Sequence, residues 1–341
     1  MPVKLPMPTE QTAIENRSNY RQYARSWLAE HLPAHMRADS LEYRAPTLEE
    51  SRQWEASLHQ AGLAGMTWPI AYEGHGLTLR EHLAVNKEIG ALPMPESVSS
   101  IGKELAGPII MKVGTQEQKQ EFLPAILRMD HYWCQGFSEP DAGSDLARLR
   151  TRAVPDGHGW RIQGQKIWTS GAAKAHYCLL LTRTGTVADK HRGMLMFAVP
   201  MNTPGIRVAP IKSIDGKESF AEVFFDDVYV PDSARLGAPD EGWSAAVRVL
   251  SIERATNRMY RAWRFECELA FLVRAGHSEA FAGLAHSMIS QVTPGSSPLA
   301  QRAKAAFTQA YLFSRAETIY AGTSEVQLDL IAQRILELPR G

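Results

Sequence analysis

The chain has little cysteine. Cys134, Cys178 and Cys267 are the only three in 341 residues, and no pair has Cys-x-x-Cys spacing. An odd, unclustered set excludes a disulfide framework and a cysteine zinc site, and reads as reduced thiols of a cytoplasmic protein. No charge of one sign is in excess, with 37 basic and 37 acidic residues. Nothing in that balance favours nucleic acid or an anionic membrane surface. No apolar run approaches the ~20 residues of a membrane span. The opening stretch, MPVKLPMPTEQTAIENRSNYR, lacks the apolar core of a signal peptide. No Gly-x-Gly-x-x-Gly follows a strand-like run, which argues against a Rossmann dinucleotide site. Internal repeats and low-complexity tracts are absent as well. His31 and His35 stand four apart but lack further ligands, so they read as a surface helix pair rather than a metal site.

What is present is an ordinary globular composition, 44% hydrophobic and 22% charged, in a chain long enough for two or three domains. Residues 1–128 read as helical. Segments such as NYRQYARSWLAEHL and LEESRQWEASLHQAGL carry apolar residues at three- and four-residue spacing. Thr115 is the expected N-cap of the helix EQKQEFLPAIL. Residues 129–238 change character, with GWRIQGQKIWTS, AHYCLLLTR, GMLMFAVP, IRVAPI and AEVFFDDVYVP separated by Gly, Pro and Asp. That spacing predicts a compact antiparallel β domain. Residues 239–341 turn helical again, broken at Thr293-Pro294-Gly295-Ser296.

The most informative stretch is WCQGFSEPDAGSDLARLRTRAVPDGHGWRIQGQKIWTSG, from Trp133 to Gly171. A polar loop with Gly143 and Ser144 precedes a strand-like run that ends in an expected turn, Trp168-Thr169-Ser170-Gly171. An indole face with nearby hydroxyl and backbone donors suits a flat, polar aromatic ring. Taken singly, Trp168 reads as a core aromatic, and Ser138, Ser144 and Ser170 as turn residues. As one string the stretch resembles the flavin-binding middle segment of the acyl-CoA dehydrogenase family. The closing run SRAETIYAGTSEVQLDLIAQRILELPR resembles that family's C-terminal pattern.

The resemblance implies an α+β fold: an N-terminal helical domain, a middle antiparallel β-barrel-like domain and a C-terminal helical bundle, here shortened. It implies FAD as cofactor. Phe137 and Ser138 would contact the pyrimidine side of the flavin, and Gly143 and Ser144 would lie where the cofactor phosphate and the CoA arm approach. Trp168 would pack on the ring, Ser170 would donate near N5, and Thr323 would sit on the adenylate side. Many family members carry a catalytic glutamate in a Tyr-Glu-Gly-Thr motif. Here that stretch is Tyr320-Ala321-Gly322-Thr323, and alanine cannot take a proton. Another branch places the base on the first helix after the β domain, just before an arginine, and Glu253-Arg254 stands there. Glu253 is then the candidate base, with Arg254 shaping the substrate pocket, while the backbone N–H of Ala321 still serves the thioester carbonyl. The other reading makes Glu253 an ordinary helix glutamate of a non-catalytic subunit.

The family's Arg-x-x-Phe-Gly and Gln-x-x-Gly-Gly segments, which hold the FAD pyrophosphate and adenosine, are missing. The resemblance therefore implies an acyl-CoA dehydrogenase, with electron-transfer flavoprotein as acceptor. It assembles either as a homo-oligomer or as a heteromer in which a second acyl-CoA dehydrogenase subunit completes the FAD site.

Overall fold

A computed structural model describes residues 17–37, 40, 42, 44–92, 97–214, 216–255 and 263. Among the described residues three helices come first, α1 (Arg17–His31), α2 (Leu48–Gln60) and α3 (Leu79–Gly90). Each presents apolar residues at helical spacing to one shared core, with Ala24, Leu28, Trp54, Leu58 and Val85 all buried. Thr47 and Glu50 form a reciprocal capping box that fixes the start of α2. A six-residue π-helix, Ile101–Ala106, runs into α4 (Gly107–Val113), and α5 (Gln116–Leu127) follows. Thr115 caps α5 as expected: its hydroxyl accepts from the Gln118 N–H at 3.2 Å, and the Gln118 side chain accepts from the Thr115 N–H at 2.9 Å.

Eight strands come next: β1 (Trp133–Gly136), β2 (Arg152–Asp156), β3 (Gly159–Ser170), β4 (Tyr177–Arg183), β5 (Met194–Pro200), β6 (Ile206–Ile211), β7 (Phe220–Pro231) and β8 (Arg235–Leu236). Their order is β6-β7-β3-β2-β4-β5-β8, with β1 against β4. The expectation of an antiparallel domain needs one amendment at β4. That strand runs parallel to β1 over four residue pairs and meets β2 in one parallel pair. Helix α6 (Gly242–Ala255) then packs on β5, the π-helix, α4 and β4.

The unbroken apolar runs of β4 and β5 follow from burial of both sheet faces. Leu179, Leu181, Met194, Met196 and Ala198 enter the core shared with α4, α5 and α6. Their alternates Cys178, Leu180, Leu195, Phe197 and Val199 fill the core on the other side. A strand wedged between two layers needs no polar alternation. Each fully buried side chain of this kind contributes about 1.5–3 kcal/mol. Cys134 and Cys178 are register partners across β1 and β4, and both are buried. Among the described residues no helix is long and apolar enough to cross a membrane.

Candidate functional site

The segment after β1 and the end of β3 are brought together. The Ile167 N–H donates to the Ser138 carbonyl at 2.9 Å. Lys166 Nζ donates to the Phe137 carbonyl at 3.1 Å and to Glu139 Oε1 at 2.7 Å. Phe137 itself is buried in the core, and its carbonyl faces inward to Lys166. Beyond it, Glu139 and Ala142 exchange two backbone hydrogen bonds in a tight turn. That turn pushes Gly143 and Ser144 into the open, and a Cβ on Gly143 would meet nothing within 4 Å.

Trp168 is 58% exposed, so the core-aromatic reading is corrected. The expected turn at 168–171 is also corrected: β3 continues to Ser170, and only Gly171 lies in the turn. The strand is irregular instead. Its register against β7 shifts between Lys166 and Thr169, and Trp168 holds a φ of 58°. A non-glycine residue in the left-handed region costs of order 1–3 kcal/mol and persists only where its surroundings fix it. The bulge turns the indole outward, edge-on to Phe220 at 6.1 Å between ring centroids. Thr169 then points inward and is fully buried, its hydroxyl without a partner. Ser170 returns to the side of Trp168, as the two-residue strand period requires. Gly171 closes the strand at φ 67°, with Tyr132 so near that a Cβ would lie 2.6 Å from its hydroxyl.

The loop leaving this face is held from beneath. The fully buried Arg183 donates Nε to the Leu149 carbonyl at 2.7 Å and Nη2 to the Ala147 carbonyl at 2.6 Å. It also reaches the carbonyls of Lys190 at 3.1 Å and Thr186. Glu139 is buried among donors. Burial pushes its carboxyl up, but the Lys166 ammonium and the bonds from Thr151 and Arg150 outweigh this and hold it below the usual carboxylate range. Burial lowers the Lys166 ammonium from its ordinary value, and the Glu139 carboxylate opposes that. The direction to hold is an ionised pair, since the carboxylate at 2.7 Å favours the charged lysine.

A flat ring system fits these residues. Trp168 is exposed, Ser138 and Ser170 are half-buried, and Gly143 and Ser144 lie in the open. No hydroxyl of Ser138, Ser144 or Ser170 has a hydrogen-bond partner among the described residues. Glu253 and Arg254 lie in the last turn of α6. Ala321 and Thr323 lie outside the described residues. Sequence reasoning missed Lys166, Glu139 and Arg183. The signal for them was three charged residues inside otherwise apolar or tightly turned segments, where charge survives only if paired.

These features define a helical domain followed by a β-sheet domain. The family descriptions for the acyl-CoA dehydrogenase N-terminal and middle domains match residues 15–130 and 134–228. The chain belongs to the acyl-CoA dehydrogenase family, and it is an oxidoreductase of that class. It is 32% identical to the acyl-CoA dehydrogenase IpdE1 of Mycobacterium tuberculosis, over 96% of this chain and 99% of that one. Its fold is similar to that of the Tcur3481-Tcur3483 steroid acyl-CoA dehydrogenase G363A variant, with a TM-score of 0.77 at 24% identity over 96% and 100% of the two chains. It is also similar to the ChsE4-ChsE5 complex from Mycobacterium tuberculosis, with a TM-score of 0.68 at 24% identity over 99% and 100%.

Proposed function

We propose that the chain oxidises an acyl-CoA thioester to the trans-2-enoyl-CoA, using FAD, with Glu253 as the base that takes the α-proton. The observation that carries this reading is the bulged end of β3, which spends backbone strain to turn Trp168 outward beside Ser170. Bound FAD supplies the acceptor for the β-hydride. Trp168 gives it a face to lie on, and Ser170 a donor at the reacting edge. Ser138 and the backbone around Phe137 address the pyrimidine end, and Gly143 and Ser144 leave room for phosphate and the CoA arm. Thr323 serves the adenylate side.

The place of Glu253 just before Arg254, on the first helix after the sheet, supports the base assignment. A carboxylate serves as such a base when desolvation raises its pKa toward the working pH. Arg254 would shape the substrate pocket, and the backbone N–H of Ala321 would stabilise the enolate oxygen.

We further propose a heteromer, in which an unlike acyl-CoA dehydrogenase subunit supplies the missing diphosphate grip. Two of the similar folds bear paired names, and one is described as a complex. A separate electron-transfer flavoprotein is the proposed acceptor.

The test is co-expression with a second acyl-CoA dehydrogenase subunit, followed by a visible spectrum and anaerobic titration with acyl-CoA thioesters. A flavin band bleached by thioester is the expected result. Glu253→Gln should keep the flavin band while turnover falls by at least about a hundredfold. Near-wild-type turnover in that variant rules out Glu253 as the base.

A further inference from the structure

We infer that Lys166 and Glu139 are positioning residues: a buried ion pair that clamps the two flavin-facing segments, 137–144 and 166–171, at a fixed spacing. The inference rests on the flavin reading above, and the clamp itself is visible without any cofactor. Lys166 is fully buried and the Glu139 side chain is 7% exposed, so neither is there to meet solvent. Burying two charges is costly, and an apolar pair of similar size often serves stability as well or better. Stability alone is therefore a poor reason for this pair to exist.

Its geometry suggests what it does instead. Lys166 stands two residues before Trp168, at the edge of the register shift that turns the indole outward. Its ammonium reaches across to the Phe137 carbonyl, and the neighbouring Ile167 N–H takes the Ser138 carbonyl. Both carbonyls of the Phe137-Ser138 pair are thus turned inward toward β3. Glu139 extends the clamp to the far end of the loop. Its Oε2 accepts from the Arg150 N–H at 2.6 Å, and its Oε1 accepts from the Thr151 N–H at 2.9 Å. The carboxylate therefore ties both ends of the loop that carries Gly143 and Ser144. Thr151 closes the circuit, because β3 passes so close that a Cβ on Gly164 would lie 2.5 Å from its hydroxyl oxygen. One carboxylate and one ammonium set the distance between the surface offered by Trp168 and Ser170 and the loop of Ser138 to Ser144.

A positioning pair and a merely structural pair differ in what fails when it is cut. Lys166→Met, Glu139→Gln and the double variant are compared in the full chain, with its partner subunit where flavin requires one. Leu58→Ala is the control, a core truncation in the helical domain far from the clamp in the sequence. The first readout needs no cofactor: amide hydrogen exchange over 137–151 and 165–171 in the flavin-free protein. The second is the dissociation constant for added FAD. In Lys166→Met, exchange in those two segments should speed up at least about tenfold while α1 to α3 stay protected. FAD should bind at least about tenfold more weakly, and Leu58→Ala should leave FAD binding unchanged. Glu139→Gln should be worse than the double variant, because it leaves an unpaired buried cation.

Exchange that quickens evenly over the whole chain overturns the inference. So does an unchanged FAD constant, or one weakened equally by Leu58→Ala. If the wild-type assembly takes up no FAD, the flavin reading and the positioning role toward it both fall. Local exchange then still reports whether the clamp holds the loop.

Discussion

Arg183 shows how a single side chain can set the shape of a loop without touching anything that reacts. Its guanidinium has five N–H donors in a rigid fork and is spent on four backbone carbonyls, from Ala147, Leu149, Thr186 and Lys190. Two belong to the loop after Ser144 and two to the loop between β4 and β5. Removing the donor strands those carbonyls away from water, and each unsatisfied buried group costs about 1–3 kcal/mol. Arg183→Met should destabilise the fold by on the order of 3 kcal/mol, read as a lowered urea midpoint. Lysine at this position should recover little, because a point charge cannot span four carbonyls in a plane. The residue scale was only partly legible beforehand. Trp168 and Ser170 were visible as a flavin-like string. The positive φ that turns the indole outward was not, since nothing in Lys-Ile-Trp-Thr-Ser marks a bulge.

At the scale of elements the sequence was more informative. The runs GWRIQGQKIWTS and IRVAPI coincide with β3 and β6, because alternation and β-branched content are local signals. The cap at Thr115 was equally readable, since a capping box needs only residues three apart. Thr115→Ala should cost about 1 kcal/mol in unfolding free energy, measured by denaturant titration. The loss should not stop at α5. Gln118, the other half of that box, also donates its amide to the carbonyls of Ser233 at 2.7 Å and Arg235 at 2.9 Å. It thereby joins α5 to the strand end at β8. The parallel pairing of β1 with β4 was not readable. Which strands become neighbours depends on contacts far apart in sequence, and a local pattern carries no record of them.

For the whole molecule, charge titration links the two folded regions. Burial lowers the ordinary value of 6.5 for His75 and His82 in the helical region, and for His131 and His176 beside the sheet. A histidine whose folded value is depressed binds fewer protons folded than unfolded as the pH falls past about 6.5. Stability is therefore full above that point and declines as pH drops toward the folded values. His176 gives the decline a structural meaning, because its Nδ1 accepts the Tyr132 N–H at 2.9 Å and protonation ends that bond. The urea midpoint should fall between pH 7.5 and pH 5.5, and His176→Gln should flatten part of that slope. A second decline, at more acid pH, belongs to carboxylates held below the usual range, Glu139 and Glu55 among them. Their contribution is present above about 4.5 and is lost as pH falls through their folded values.

The parallel pairing of β1 with β4 also fixes the order in which the site can be built. Among the described residues β4 is the only strand partner of β1, with Trp133 opposite Tyr177. During synthesis the whole of 137–151 leaves the ribosome before Lys166, and Arg183 comes later still. The chain therefore emits its flavin-facing loop first and the parts that hold it afterwards. Until Arg183 has emerged, that loop is a naked segment, and it is then that the nascent protein is most open to proteases and to misplaced pairing along β1.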